Sequence, residues 1–311
     1  MSLTRWLGRR LLLSSLVVLG AATAAFGALR LTPGDPVAVL VGIAAAQNEE
    51  IVERARQDLG FDRPLPVQYG LFLGRLLRGD LGYSYQLGEP VWSLLAQGLG
   101  PTAELAGAGF VLALATAVPL AVATAGRRPL LRRLSAAFEL LTISVPGFWA
   151  GLLLLSFFSF HLGLFPAAGG TGPEGLVLPA VTLALSLVGV YTQVLRDGLT
   201  RALDEPFVLS SRARGTGEAG VRWRHALRHA LIPVITISGW TLGALLGGAV
   251  VIETVFSRPG LGRLLATAIE NRDFPVVTGV VVLSGTAFAV ISLTVDLLYR
   301  VVDPRLREAR A

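Results

Sequence analysis

The chain has 311 residues, 53% of them hydrophobic and 15% charged, with a mean hydropathy of +0.63 and a formal charge of +6. Soluble domains carry about 25% charged residues, so a bilayer is the expected solvent and a soluble globular domain is disfavoured. There are no cysteines and all 27 basic residues are arginine, which excludes disulfides, thiolate metal sites, a cysteine nucleophile, a Walker A lysine and Schiff-base chemistry.

Six apolar runs follow in chain order. The first, Leu11 to Leu29, is preceded by Arg5, Arg9 and Arg10. It is longer than the roughly 7–15 apolar residues of a signal peptide, so it reads as a retained helix. The others span about 104–125, 137–160, 178–199, 233–252 and 276–299. Each is near the ~20 residues that a helix needs to cross the hydrocarbon core. The expected fold is an all-α integral membrane protein with six transmembrane helices.

Arginine asymmetry sets the orientation. With the N-terminus inside, segments 1–10, 126–136, 200–232 and 300–311 are cytoplasmic and carry 17 arginines, against 9 in the longer external segments 30–103, 161–177 and 253–275. That excess predicts N-in, C-in. It also assigns the sequence pI of about 10.6 to loops at an anionic leaflet rather than to nucleic acid. The expected organisation is a cytoplasmic N-terminus and first helix over 1–30, an extracytoplasmic segment over 31–103, a five-helix core over 104–300 containing a cytoplasmic loop at 201–232, and a cytoplasmic tail over 301–311. In the external segment, Gln47 to Leu59 and Val67 to Leu77 read as amphipathic helices, with a turn at Gly79-Asp-Leu-Gly82.

Charges within the runs are costly in lipid and face protein or water. The candidates are Glu139, Asp197 with Arg196, Glu253 and Asp296. Arg196 and Asp197 are expected to snorkel or pair locally at the cytoplasmic end, and Asp296 to pair with Arg300 at i+4. Gly243 and Gly247 form a small-residue pair suited to helix packing. Ser144-Val-Pro-Gly147 should kink or loosen the third run, so Pro146, Phe148, Trp149, Glu253 and Phe256 are candidate pathway or gate residues.

Two motifs carry no chemistry. Gly215-Thr-Gly-Glu-Ala-Gly220 satisfies a dinucleotide fingerprint, but lacks the strand and βαβ context that the chemistry needs. His225 and His229 have helical metal spacing, but lie among Arg222, Arg224 and Arg228, and read as a solvated face. No catalytic residue and no metal site is identified.

Segment 201–232 interleaves Phe207, Val208, Leu209, Val221, Trp223, Leu227 and Leu231 with arginines. It reads as two short amphipathic helices joined around Gly215 and Gly217, and apolar residues displayed from a loop need a partner surface.

Phe207-Val-Leu-Ser-Ser-Arg-Ala-Arg-Gly215, followed by His225-Ala-Leu-Arg-His-Ala-Leu-Ile-Pro233, resembles the cytoplasmic coupling loop of ABC-importer permeases of the dipeptide/oligopeptide/nickel family. The resemblance extends to Leu31-Thr-Pro-Gly-Asp-Pro36, Leu77-Arg-Gly-Asp-Leu-Gly82, Ile252-Glu-Thr-Val-Phe-Ser-Arg-Pro-Gly-Leu-Gly262 and Asn271-Arg-Asp-Phe-Pro275. Ser211, Thr216 and Arg258 depart from residues common in that family. The resemblance implies a type I importer permease in a bacterial plasma (inner) membrane, paired with a second homologous permease. It also implies two ATPase subunits that hold ATP and Mg, an extracytoplasmic substrate-binding protein, and no cofactor or enzymatic activity on this chain. On that reading Phe207, Ser211, Arg212, Ala213, Arg214, Gly215, His225, Leu227 and Pro233 form the ATPase-coupling loop. The cargo stays open between short peptides and nickel or other metal chelates, because Pro101-Thr-Ala-Glu-Leu-Ala-Gly107 and Val145-Pro-Gly-Phe-Trp149 resemble the nickel and metallophore members. A gradient-driven secondary transporter or channel and a membrane-anchored scaffold are the alternatives.

Overall fold

The computed structural model describes residues 3–31, 37, 50, 52–53, 56–57, 60–126, 129–170 and 172–302. The expected helix at Gln47 to Leu59 falls largely outside these residues, as does the tail beyond Val302. The side chains of Gly247, Asp296 and Arg300 are also outside them, and with these the proposed Asp296–Arg300 pair.

Among the described residues the chain is helical apart from one hairpin. The elements are α1 (Leu3–Leu31), α2 (Leu65–Leu77), β1 (Tyr83–Ser84), β2 (Glu89–Pro90), α3 (Val91–Thr124), α4 (Pro129–Ser144) and α5 (Gly147–Leu154, continued by a π-helical turn Leu155–His161). They continue with α6 (Glu174–Leu203), α7 (Pro206–Ala213), α8 (Glu218–Gly220, continued by a π-helical turn Val221–Ala226), α9 (Leu227–Val255), α10 (Leu261–Glu270) and α11 (Phe274–Val302). Four stretches are long and apolar enough to cross a membrane: Gly8–Ala28, Val91–Thr124, Glu174–Leu203 and Phe274–Val295. Two bent pairs, Pro129–Ser144 with Gly147–His161 and Glu218–Leu245 with Ala249–Val255, qualify if each is taken as one span. The six apolar runs of the sequence fall on these segments.

Two compact units emerge, residues 1–102 with 259–289, and 103–258 with 290–311. The sequence-based division placed 259–289 in the core with 104–300. The structure groups it instead with the N-terminal unit, because Leu261, Ala268, Val276 and Val280 form one buried cluster with Val91 and Leu95. The second helix also starts earlier than its apolar run, at Val91 instead of about 104.

Local chemistry fixes the first unit. Gly79 and Gly82 adopt φ of +76° and +88°, and the Asp80 carboxylate accepts the Gly82 N–H at 2.9 Å, which makes the expected turn. The hairpin that follows pairs Tyr83 with Pro90 and Ser84 with Glu89. It is fastened through the buried Ser84 hydroxyl, which donates to the Asp273 carboxylate, and through Gln86 Nε2, which donates to the Asn271 carbonyl at 2.5 Å. The Asn271-Arg-Asp-Phe-Pro275 motif is a helix-to-helix joint. Arg272 takes φ +58°, its N–H reaches Ile269 O at 3.1 Å, and the Asp273 N–H reaches Ala268 O at 2.7 Å, closing α10 as a Schellman cap. Asp273 then caps α11 by accepting the Val276 N–H at 3.4 Å, with Pro275 in the first turn. Burial raises the Asp273 carboxyl above its ordinary pKa, and the Ser84 and Val276 hydrogen bonds oppose the shift.

In the second unit α6 is the central helix, with buried residues from Leu178 to Ala202. Two apolar clusters flank it, one around Tyr191, Leu195, Leu199, Ala226 and Ala230, the other around Leu105, Leu183, Leu245 and Phe256. Single glycines set the closest approaches. A Cβ on Gly189 would lie 2.4 Å from Thr142 Oγ1 and 2.8 Å from the Glu139 carbonyl, and one on Gly198 would lie 3.0 Å from Ala230 Cα. Ser144-Val-Pro-Gly147 does more than kink its run: α4 and α5 meet at 99°. Proline 146 removes the helical N–H and biases Val145 away from α geometry, so α4 stops and α5 restarts with Pro146 as its N-cap.

Candidate functional site

Segment 201–232 turns at Gly215 and Gly217, and of the two short helices that its pattern predicts α7 is one. α7 starts at Pro206, in the first helical position, where its missing N–H costs nothing. It ends in a second Schellman cap: Gly215 N–H to Arg212 O at 2.9 Å and Thr216 N–H to Ser211 O at 3.1 Å. Gly215 has φ +81° and open space where a Cβ would stand, so the backbone conformation alone demands glycine. Arg212 bridges the turn to Glu218 at 2.7 Å.

The second helix is not a separate short element. From Glu218 the chain continues through Val221–Ala226 into α9, and Pro233 lies inside that helix instead of at its start. Leu227 is half-buried, and together with Leu231 it packs against the cluster of Leu199, Ala202, Ala226 and Ala230. His225 is also half-buried. Phe207 stacks on His229 with ring centroids 4.8 Å apart and packs on the same cluster.

The predicted coupling residues therefore separate into two faces. Ser211 is buried, its hydroxyl donating to Phe207 O at 2.9 Å, and Phe207 faces the same core. Arg212, Ala213, Arg214 and Gly215 are exposed. Sequence reasoning left out Leu209, which is 69% exposed, and Trp223, at 47%. Both were part of the amphipathic pattern, but which apolar face turned outward depended on where α6 and α9 lie.

Arg222 corrects an expectation. The sequence placed it on a solvated arginine face, yet it is buried, and its Nη1 donates to the carbonyls of Ala125 and, at 3.3 Å, Val122. It thereby satisfies acceptors at the end of α3, where the helix dipole favours a cation. Segment 201–232 is thus fastened to the end of α3 as well as to α6. Arg196 is a second correction. It does not pair with Asp197: it forks onto the fully buried Glu139 of α4, with Nη2 2.7 Å from Oε2, and Ser135 donates to Oε1 at 2.5 Å.

The candidate pathway residues are not brought together. Pro146, Phe148 and Trp149 lie on an exposed side of the α4–α5 break. Glu253 and Phe256 are buried at the end of α9. Gly151 of α5 approaches Phe256, where a Cβ would lie 3.3 Å from its ring, and Leu154 and Phe158 pack on the same cluster. The helix end itself is a third Schellman cap, with Ser257 at φ +51° and Arg258 N–H to Glu253 O at 2.8 Å. Arg258 is buried, and its fork reaches Glu104 at 3.1 Å and the Gly175 carbonyl at 3.0 Å. Among the described residues no group of three or more His, Cys, Asp or Glu side chains is arranged to hold a metal ion.

The model of the family described as "Binding-protein-dependent transport system inner membrane component" matches residues 117–308, and its N-terminal counterpart matches residues 3–106. Among curated relatives, a peptide transport system permease protein of Brucella abortus is 39% identical over 300 residues, 94% of this chain and 95% of the relative. A glutathione transport system permease protein of Pectobacterium atrosepticum is 37% identical over 280 residues, 90% of this chain and 91% of the relative. Among solved structures, an inward-facing form of the MetNI methionine ABC transporter superposes with a TM-score of 0.55 at 22% identity, covering 68% of this chain and 96% of that chain. That likeness speaks to the fold alone.

Proposed function

We infer the role of this chain from the premise that it belongs to the family of binding-protein-dependent transport system inner membrane components. It is a permease subunit of an ABC importer, and ATP hydrolysis resides on separate subunits. The finer reading is that it forms half of a translocation pathway for short peptides, with a second homologous permease as the other half. Two ATPase subunits would dock below and a substrate-binding protein above, in a bacterial inner membrane. Six spans with both termini in the cytoplasm complete the proposal.

The observation that carries the coupling role is the exposed surface of α7 and its cap. Leu209, Ala213, Arg214 and Gly215 project from a segment rigidly fastened to α3, α6 and α9. ATPase closure would draw on this surface, and the helix continuous with it would carry the displacement. Peptide cargo is supported by what the similar permeases of Brucella abortus and Pectobacterium atrosepticum are named for, since glutathione is itself a tripeptide. None of the similar permeases described here is named for nickel, and metal chelates stay an arm of the test.

The test is reconstitution in lipid with the partner permease, ATPases and binding protein. ATPase rate is then followed against dipeptides, glutathione-like tripeptides, longer peptides and nickel chelates. Stimulation by a peptide class that requires the binding protein is the expected result. Stimulation by chelates alone would move the cargo to metals. If no ligand class changes hydrolysis while an imposed ion gradient drives uptake, the importer reading fails in favour of a secondary transporter.

A further inference from the structure

Two apolar grooves in the first unit meet at one arginine. One is lined by Phe26 of α1, Phe72 of α2, Tyr83 and the first residues of α11, among them Phe274 and Thr278. The other runs between α1 and α2 past Thr23, Leu65 and Tyr69. Phe26 and Arg30 line both.

The polar groups where the grooves meet are incompletely satisfied. The Arg30 guanidinium lies 4.9 Å from the Phe26 ring centre and 4.3 Å from that of Phe61. Among the described residues no carboxylate pairs with it, and its Nε is buried without a hydrogen-bond partner. Gln68 is only 5% exposed. Its Nε2 donates to the Phe61 and Arg63 carbonyls at 3.2 and 2.6 Å, whereas its Oε1 has no partner. Among the described residues, then, a guanidinium without a carboxylate partner lines the same groove as a buried acceptor without a donor, and each such group favours a ligand that completes it. Arg75 and Asp80 add one charge of each sign to the first groove.

Depth separates the two kinds of lining. Ala25 and Phe26 belong to the membrane-crossing stretch Gly8–Ala28, and Phe274, Pro275 and Thr278 to Phe274–Val295. Arg30, Gln68, Arg75 and Asp80 lie outside both stretches. Apolar walls at the hydrocarbon edge with a mixed-charge rim beyond it match a molecule with two tails, a phosphate and a nearby N–H donor. A free phosphate would satisfy Arg30 and leave both grooves empty. A soluble zwitterion would fill the rim and leave the same apolar walls uncovered.

We propose that this junction binds one zwitterionic aminophospholipid of the phosphatidylethanolamine type. Its phosphate sits on Arg30, its ammonium faces Gln68 Oε1 and Asp80, and its acyl chains occupy the two grooves. The site depends on the membrane location of the chain and not on its cargo, so failure of the cargo assay leaves it standing.

The experiment is native mass spectrometry of the full chain, extracted in detergent with the subunits that co-purify, after mild delipidation. Arg30→Gln removes the phosphate contact, and Thr278→Trp plugs the first groove while leaving every charge in place. Elution profile and helical content confirm that both variants fold. The wild type is expected to retain one phosphatidylethanolamine per chain, and each variant to hold it about tenfold more weakly, the effect of one lost charge-assisted contact or one lost tail site. Equal retention by wild type and both variants overturns the site. Equal or tighter binding of phosphatidylglycerol overturns the headgroup assignment. Competition by inorganic phosphate as strong as that by lipid overturns the two-groove argument.

Discussion

Glu139 shows what one buried carboxylate demands. Fully enclosed, it takes two guanidinium hydrogen bonds from Arg196 and a hydroxyl from Ser135. Removing one member of such a pair costs about 3–5 kcal/mol, because the other charge stays buried, whereas replacing both with apolar residues is near neutral. Arg196→Met should therefore destabilise the chain by about that amount in a denaturant titration in micelles, and Glu139→Leu combined with Arg196→Met should recover most of it. A double variant as unstable as the single one would refute the pair as the cause. Both charges were legible in the sequence as unusual for a membrane helix, but their pairing was not. Arg196 reads as a helix-end residue that snorkels or pairs locally, and nothing in the sequence points from it to Glu139, 57 positions away. Arg222 was hidden in the same way, since only the fold brings the end of α3 to it.

Helix ends carry most of the sequence's punctuation. Schellman caps close α2, α7, α9 and α10, with Gly79, Gly215, Ser257 and Arg272 in the left-handed position. Glycine marks the first two in the sequence, but serine and arginine give no such signal, so the other two turns were unreadable. The Gly215 cap is also the one that holds the exposed surface proposed for coupling. Gly215→Pro cannot adopt φ +81° and loses the N–H that reaches Arg212 O. Membrane insertion should be kept while peptide-dependent ATPase stimulation is lost, and Gly215→Asn, which tolerates this conformation, should retain most of it. Normal coupling in the proline variant would show that the cap has no part in docking. Close helix approach was expected from the spacing of Gly243 and Gly247. Among the described residues close approaches also come from glycines such as Gly189 and Gly198, which that spacing rule does not single out, while Gly239, four residues before Gly243, lies tight against Val295.

At the scale of the whole chain, hydropathy was enough to locate the four to six candidate membrane spans of the described residues, because the cost of exposing polar backbone to lipid leaves few alternatives. It could not show that 259–289 belongs with the N-terminal unit, which depends on contacts between residues almost 200 positions apart, such as Ser84 with Asp273. The proposed orientation is directly testable, since a chain without cysteine is a ready background for single labels. Leu87→Cys in the hairpin should react with an impermeant maleimide in intact spheroplasts, and Asp204→Cys before α7 only after permeabilisation. Labelling of both from one side would overturn N-in, C-in. The continuity of Glu218 with Leu245 also has a mechanical meaning. The π-helical turn Val221–Ala226 and Pro233 lie within this stretch, yet it runs unbroken to Leu245, so on the proposed coupling role it would act as a lever on the order of 40 Å long. A tilt of roughly 10° imposed at the Glu218 end would sweep Leu245 through about 7 Å, more than the 5.4 Å pitch of a helical turn. The energy source then needs to supply only a small rotation, and the length of the helix supplies the stroke.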